Sequence, residues 1–259
     1  IFKSKLQFLN NIKMKKISYY LKAISLIALV CFTMGSCSKD NTKPTPPTDE
    51  TKDRGHDMPD KVQFIITNLG TNEVQERTAN KSAKGIVYDT TEPIKWQVGR
   101  EYRFEIVYYN NGARMNHEFV SAKMAPIHQH FFQLFQGEYP KDEAGRTAMV
   151  TAMNKALSYV YQDTDPENGT YGTQGVKLRL RTWDKTNPEQ RDPIGLKGVF
   201  HIKDEATAGD YKLRIKLAHF LIANKLNPKT QEERPYNVVE YSNAFQLDSD
   251  MILPIQIIR

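Results

Sequence analysis

Histidine spacing is the feature of this sequence that most directly indicates chemistry. His128 and His130 lie two positions apart in the segment His-Gln-His-Phe-Phe. If this segment is a β-strand, both imidazoles project from the same face, because side chains alternate along a strand. Two neutral imidazoles on one rigid face are half of a transition-metal site. The spacing therefore predicts a pair of ligands for zinc, copper or nickel.

Two further histidines are candidates to complete that site. His219 continues the inward row of a predicted strand over 211–217, and His117 follows the turn-like Asn110-Asn111-Gly112. We expect both to meet the His128 and His130 pair at one end of the fold. His201 falls on the outward row of its strand and is left out of the predicted site. Each histidine could instead be a rim residue with a water or carbonyl partner, and that alternative stays open.

A second possible cation site is the segment Asp163-Thr164-Asp165-Pro166-Glu167-Asn168-Gly169. Oxygens at alternating positions before a glycine can bind Ca²⁺, so Asp163, Asp165 and Asn168 form a possible calcium loop. Pro166 and the lack of a glutamate at loop position twelve depart from the EF-hand pattern. A plain turn rich in Asp, Asn and Gly explains the same residues.

Aromatic side chains suggest a third kind of site. They could stack on sugar rings if they lie together on one surface, although most such residues pack cores. The candidates are Trp96, Trp183, Tyr108, Tyr109 and Tyr171. The sequence has no Gly-x-Ser-x-Gly, no phosphate-binding glycine loop and no His-Glu-x-x-His. It therefore predicts a binding protein and not an enzyme.

Alternation of apolar and polar residues predicts the elements that position these side chains. It is clearest over 62–67, 102–109, 176–181 and 211–217, and it is typical of antiparallel sheets with one buried face. Further strands are predicted at 85–88, 94–97, 117–122, 128–135, 195–203, 236–240 and 252–258. A helix is predicted from Asp142 to about Leu157. The expected fold of residues 61–259 is mainly β, an antiparallel, immunoglobulin-like β-sandwich with one inserted α-helix.

The charge distribution argues against a nucleic-acid partner. The 259 residues carry a formal net charge of +6. The first 36 residues hold six lysines and no acidic residue, which accounts for the whole excess. The remaining chain is balanced, so the basic footprint of a nucleic-acid-binding protein is missing.

The N-terminal region has the order of a secretory signal peptide. From Met14 onward it has basic residues, an apolar run over 23–34, Gly35, Ser36 and then Cys37. That run is shorter than the roughly 20 residues of a spanning helix. Residues 1–36 are therefore predicted to be upstream residues and a signal peptide. Residues 37–60 are polar and rich in proline, which predicts a flexible tether.

The residues around Cys37 resemble a bacterial lipobox. Met34-Gly35-Ser36-Cys37 has its pattern, and Ser38-Lys39-Asp40 is similar to the charged tract of surface lipoproteins of Bacteroidota. The resemblance implies that Cys37 carries palmitate and anchors the protein to the outer membrane, at the cell surface. An ordinary signal peptide, cleaved nearby, would leave Cys37 as an unmodified thiol.

An order of short motifs between Arg114 and Leu226 is similar to a group of Bacteroidota lipoproteins encoded with outer-membrane receptors. The shared segments are 128–132, 161–163, 192–198 and 216–219. The resemblance implies a surface protein that binds a divalent transition metal, or a metal complex, and passes it to a TonB-dependent receptor. The alternatives are a glycan- or protein-binding accessory module of a nutrient-uptake complex and a purely structural surface lipoprotein.

Overall fold

The alternating segments form two facing β-sheets. The computed structural model describes residues 57–83, 85–220, 225–226, 232–237 and 245–259, and all described residues belong to one compact unit. The strands are β1 (Lys61–Asn68), β2 (Val74–Ser82), β3 (Gly85–Tyr88), β4 (Ile94–Gln97), β5 (Glu101–Asn110), β6 (Ala113–Arg114), β7 (His128–Phe135), β8 (Leu157–Tyr161), β9 (Thr164–Asp165), β10 (Lys177–Leu178), β11 (Lys197–Ile202), β12 (Gly209–Phe220) and β13 (Phe245–Ile258).

The larger sheet has the order β3-β2-β1-β5-β11-β8, with β6 paired to β5. The smaller sheet has the order β4-β13-β12-β7 and is antiparallel except for the parallel pair β4 and β13. The short strands β9 and β10 pair with each other. The prediction of a mainly β sandwich with an inserted helix is confirmed.

Aromatic side chains join the two sheets. Phe132 on β7 meets Phe200 on β11 edge-on, with ring centroids 5.3 Å apart, and Phe104 on β5 at 6.0 Å. All three side chains are fully buried. The inward rows of the alternating strands therefore form the core, as the period of two requires.

The helices are α1 (Asn116–Phe119), a 3-10 turn (Ala125–Ile127) and α2 (Glu143–Ala156). Asp142 caps α2, because its side chain accepts a hydrogen bond from the N–H of Gly145 at 2.7 Å. Met149 and Met153 are buried on its inner side. The predicted long helix is confirmed, and it ends at Ala156 because the chain passes directly into β8.

The strand predicted over 117–122 is wrong, because its first residues belong to α1. The Asn116 side chain accepts from the N–H of Tyr108 and donates to the carbonyl of Ile106, both at 2.7 Å. These bonds hold the chain in a turn against β5, where the side chain competes with strand pairing.

Other strand predictions differ from the structure in extent. Of the strand predicted over 176–181, only Lys177–Leu178 forms a strand, and Leu180 makes an isolated antiparallel bridge to Arg191. The sequence pattern missed β2 and β8. In the strand predicted over 236–240, Tyr236 and Asn237 form a turn and 238–240 lie outside the described residues. The missed strand β2 is mostly polar, so it carries little alternation and is defined by pairing with β1.

The N-terminal predictions fall beyond the described part of the chain. Residues 1–56, which include the predicted signal peptide, Cys37 and most of the tether, are outside it. Within the described residues, no helix is both long and apolar enough to cross a membrane.

Candidate metal centre

Pairing of β7 with β12 brings two of the predicted ligands together. His128 lies directly opposite His219 in the antiparallel register. Their ring centroids are 4.7 Å apart and their planes are nearly perpendicular, at 83°. His128 is fully buried and His219 is 2% exposed. The two imidazoles therefore form a close pair inside the protein.

A β-bulge in β13 adds a carboxylate to this pair. Leu217 pairs with Ser249, whereas the next residue, Ala218, pairs with Leu247. Asp248 is thus the extra residue of β13, and such a residue can point in a direction that regular pairing would not allow. Its Oδ2 lies 3.1 Å from Nε2 of His128 and 3.3 Å from Nδ1 of His219.

Hydrogen bonding fixes the tautomer of His128. Its Nδ1 lies 2.9 Å from the carbonyl oxygen of Met124. Since a carbonyl only accepts, Nδ1 must carry the hydrogen. In a neutral imidazole the lone pair of Nε2 then faces the carboxylate of Asp248, which is repulsive. A cation between them, either a proton or a metal ion, removes the repulsion.

The three side chains have the composition and spacing of a metal site. The ligand atoms of His128, His219 and Asp248 all lie within 4.8 Å of one another. Adjacent ligands of a tetrahedral zinc ion with bonds near 2 Å are about 3.4 Å apart, close to the two nitrogen-to-oxygen distances found here. The hydrogen bond from His128 to a backbone carbonyl is also typical of metal-binding histidines. The group is therefore close enough to hold a metal ion.

His130 lies beside this group but is engaged elsewhere. Its Nδ1 donates to the carbonyl of Ile194 at 2.9 Å, and its Nε2 accepts from the hydroxyl of Tyr108 at 2.8 Å. Desolvation by burial lowers the pKa of His130 to about 3, so the ring is neutral. Because both nitrogens have protein partners, the structure does not bring His130 into the group of converging ligand atoms.

The other histidines considered from the sequence lie at the surface, away from this group. His117 lies on the exposed side of α1. His201 is also at the surface, where its Nδ1 is 3.8 Å from a carboxylate oxygen of Glu101. Of the four predicted ligands, the structure therefore brings together His128 and His219.

Asp248 was not among the residues predicted from the sequence. The predicted strand began at 252, whereas β13 begins at Phe245. Asp248 precedes the part of β13 in which apolar and polar residues alternate. The bulge interrupts this alternation, so the pattern does not identify Asp248 as an inward residue. An acidic residue close to an apolar strand was the only available signal. Among the described residues, this is the one group of three His, Cys, Asp or Glu side chains with converging ligand atoms.

The possible calcium loop uses its first carboxylate for the backbone. Asp163 accepts hydrogen bonds from the four successive N–H groups of residues 194–197, at distances from 2.7 to 3.2 Å. Asp165 and Asn168 are exposed. Asp163 therefore anchors the segment before β11.

An ammonium of the protein itself meets the other oxygens of this loop. Lys197 donates from Nζ to the hydroxyl of Thr164 at 3.0 Å and to the carbonyls of Glu167 and Gly169. These contacts give the loop an internal cation, and the geometry adds no support for calcium there.

The aromatic residues proposed for sugar stacking do not share one exposed surface. Trp96 and Tyr108 are fully buried. Trp183 packs against the core, and Tyr109 lies beneath the ammonium of Lys61 at 4.6 Å from the ring centroid. Tyr171 is 48% exposed. A glycan-binding surface made of these residues is therefore not formed.

Comparisons with known proteins give no relative. No protein-family model, no curated protein and no solved structure matches this chain.

Proposed function

We propose that this protein binds a divalent transition metal through His128, His219 and Asp248. The observation that carries the proposal is the convergence of two imidazoles and one carboxylate, with the Nε2 of His128 aimed at that carboxylate. This nitrogen is set for a cation because the other ring nitrogen donates to Met124. The bulge in β13 supplies the third ligand.

The donor set favours zinc, with copper and nickel as competitors. Imidazole nitrogen suits zinc, copper and nickel, and carboxylate oxygen completes many zinc sites. Copper(II) generally binds such sites more tightly than zinc in solution. The burial of the three side chains, between 0% and 8% exposed, favours retention of the ion over turnover of a substrate.

Calorimetric titration with zinc chloride tests the site. The parent protein is expected to bind one ion, and Asp248→Asn is expected to lose affinity by more than about 100-fold, since even residues that only support a ligand contribute 10- to 100-fold. His201→Ala removes an imidazole at the surface and serves as the matched control, with unchanged affinity expected. Equal titration curves for the parent and Asp248→Asn would refute the proposal.

We further propose that the domain acts at the outer membrane, anchored by lipid on Cys37, and presents its metal or a metal complex to a TonB-dependent receptor. The support is the lipobox-like Met34-Gly35-Ser36-Cys37 and an order of motifs that resembles that of receptor-linked lipoproteins. Stable anchoring needs more than one acyl chain, and Cys37 would be the attachment point.

Membrane fractionation tests the anchor separately from the metal site. The parent protein is expected in the membrane fraction, and Cys37→Ser is expected in the soluble fraction. Cys31→Ser changes the other cysteine and is the matched control. Sedimentation of Cys37→Ser with membranes would contradict the anchor and leave the metal proposal untouched.

A further inference from the structure

Lys225 and Asp192 form a buried pair that is independent of the metal site. The Nζ of Lys225 lies 2.7 Å from Oδ1 of Asp192, and both side chains are fully buried. An amine and a carboxyl group in this contact can remain an ion pair or can condense to an amide.

The surroundings of the pair hold both groups in place. Nε of Arg179 lies 3.3 Å from the other carboxylate oxygen, Oδ2 of Asp192. The backbone N–H of Asp192 donates to the carbonyl of Arg179 at 2.9 Å. On the amine side, Nζ of Lys225 lies 5.7 Å from the centroid of the Trp183 ring. The carboxyl group is thus fixed between a cation on one oxygen and an amine on the other.

Burial favours a neutral product at this position. Removing an ammonium and a carboxylate from water is costly, and their attraction offsets this cost only in part. Desolvation lowers the pKa of Lys225, although the nearby Asp192 opposes the shift. A larger fraction of the amine is therefore uncharged, and the uncharged amine is the nucleophile.

We propose that Lys225 and Asp192 join in an intramolecular amide bond. One proton of the Lys225 ammonium first passes to Oδ1 of Asp192. The uncharged Nζ then attacks Cγ of Asp192, the new C–N bond forms, and the bond from Cγ to Oδ1 breaks. Two protons of the ammonium leave with Oδ1 as one water molecule, so the reaction needs no oxidant or other reagent. The guanidinium of Arg179 is placed to stabilise the negative charge that develops on Oδ2. Fixed proximity of amine and carboxyl replaces the bimolecular encounter that makes this condensation slow in solution.

The amide bond would crosslink the domain, which has no cysteine to form a disulfide. The only cysteines of the chain are Cys31 and Cys37, both before the described residues. A link between residues 192 and 225 closes a loop in the unfolded chain, which restricts the unfolded state as a disulfide does.

Peptide mapping of the full-length protein under denaturing conditions tests the bond. After trypsin digestion, the expected product is a branched peptide that joins residues 192–197 to residues 217–229, with no cleavage after Lys225. Its mass should be the sum of the two linear peptides less one water. Normal cleavage after Lys197 serves as the internal control, since this buried ammonium meets a hydroxyl and two carbonyls.

Two variants define the chemistry. Lys225→Arg keeps a cation but is expected to give only linear peptides. Asp192→Asn is expected to give the same branched product, because a side-chain amide can also donate the acyl group. The mass of this product should be the sum of its two linear peptides less one ammonia. Linear peptides alone in digests of the parent protein would overturn the proposal.

Discussion

Asp248 contacts His128 because β13 contains one residue more than β12 can pair. The side chains of Met251 and Leu253 point into the core, so strict alternation would turn Asp248 outward. The bulge at Asp248 reverses its direction and brings Oδ2 to 3.1 Å from Nε2 of His128. The candidate metal centre therefore depends on a local irregularity placed on a regular strand pairing.

Metal binding at this centre is expected to raise thermal stability. An ion that binds only the folded state contributes about 2.7 kcal/mol when its free concentration is 100 times the dissociation constant. Zinc should therefore raise the melting temperature of the parent protein, measured by calorimetry, and a chelator should reverse the shift. His219→Ala should show no zinc-dependent shift, while His117→Ala should behave as the parent. An equal zinc-dependent shift in His219→Ala would contradict the site.

The Tyr108→Phe variant is expected to weaken the fold without removing the metal. The Tyr108 hydroxyl donates to Nε2 of His130 at 2.8 Å, and its loss leaves a buried acceptor without that donor. The expected cost is about 1 to 3 kcal/mol of unfolding free energy, measured by urea denaturation. Zinc affinity should stay within a few-fold of the parent, because His130 lies outside the converging group. A loss as large as that of Asp248→Asn would mean that His130 takes part in binding.

Gly198 is expected to resist substitution by alanine. It is the second residue of β11, opposite Phe104 on one side and Tyr161 on the other. A methyl group on Gly198 would overlap the phenol of Tyr159. Gly198→Ala should therefore lose about 1 to 3 kcal/mol through overpacking, measured by chemical denaturation. Val199→Ala, on the half-buried opposite face, is the control and should lose less unfolding free energy. Equal stability of Gly198→Ala and the parent protein would refute the prediction.

Tyr88 is expected to make the free energy of unfolding decrease at alkaline pH. Its hydroxyl donates to the carbonyl of Ile252 at 2.7 Å and connects β3 to β13 of the smaller sheet. Burial raises the pKa of Tyr88 to about 12 from the ordinary value of 10.0. Because the folded pKa is the higher one, this contribution is fully present below pH 10 and is lost as the pH rises through 12.

The Tyr88→Phe variant measures that contribution. At pH 8 it should be less stable than the parent by about 1 kcal/mol, the usual value of one hydrogen bond. The difference in unfolding free energy should shrink between pH 10 and pH 12. In this range Tyr88 loses its proton in the unfolded parent but keeps it in the folded parent, which lowers the stability of the parent alone. The other tyrosines are common to both proteins and cancel in the comparison. A difference that stays constant over this range would show that Tyr88 does not titrate as expected.

The sequence alone predicted the sandwich and two of the three residues of the candidate centre. Alternation over β1, β5 and β12 identifies inward rows because one face of each strand must be buried, and it placed His219 on such a row. The spacing of two residues put His128 and His130 on one face of a strand, and both lie on β7. The helix α2 was predictable from two signals: acidic residues at its start, and buried methionines at helical spacing.

Tertiary structure decided which of these histidines meet a third ligand. Register places His128 opposite His219, whereas the hydroxyl of Tyr108 from the other sheet engages His130. Asp248 enters only through a bulge, and no local pattern encodes a bulge, since it depends on how two distant strands pair. The pair of Lys225 and Asp192 likewise joins residues from separate segments. Periodicity fixes the face on which a side chain lies, but long-range pairing determines what that side chain contacts.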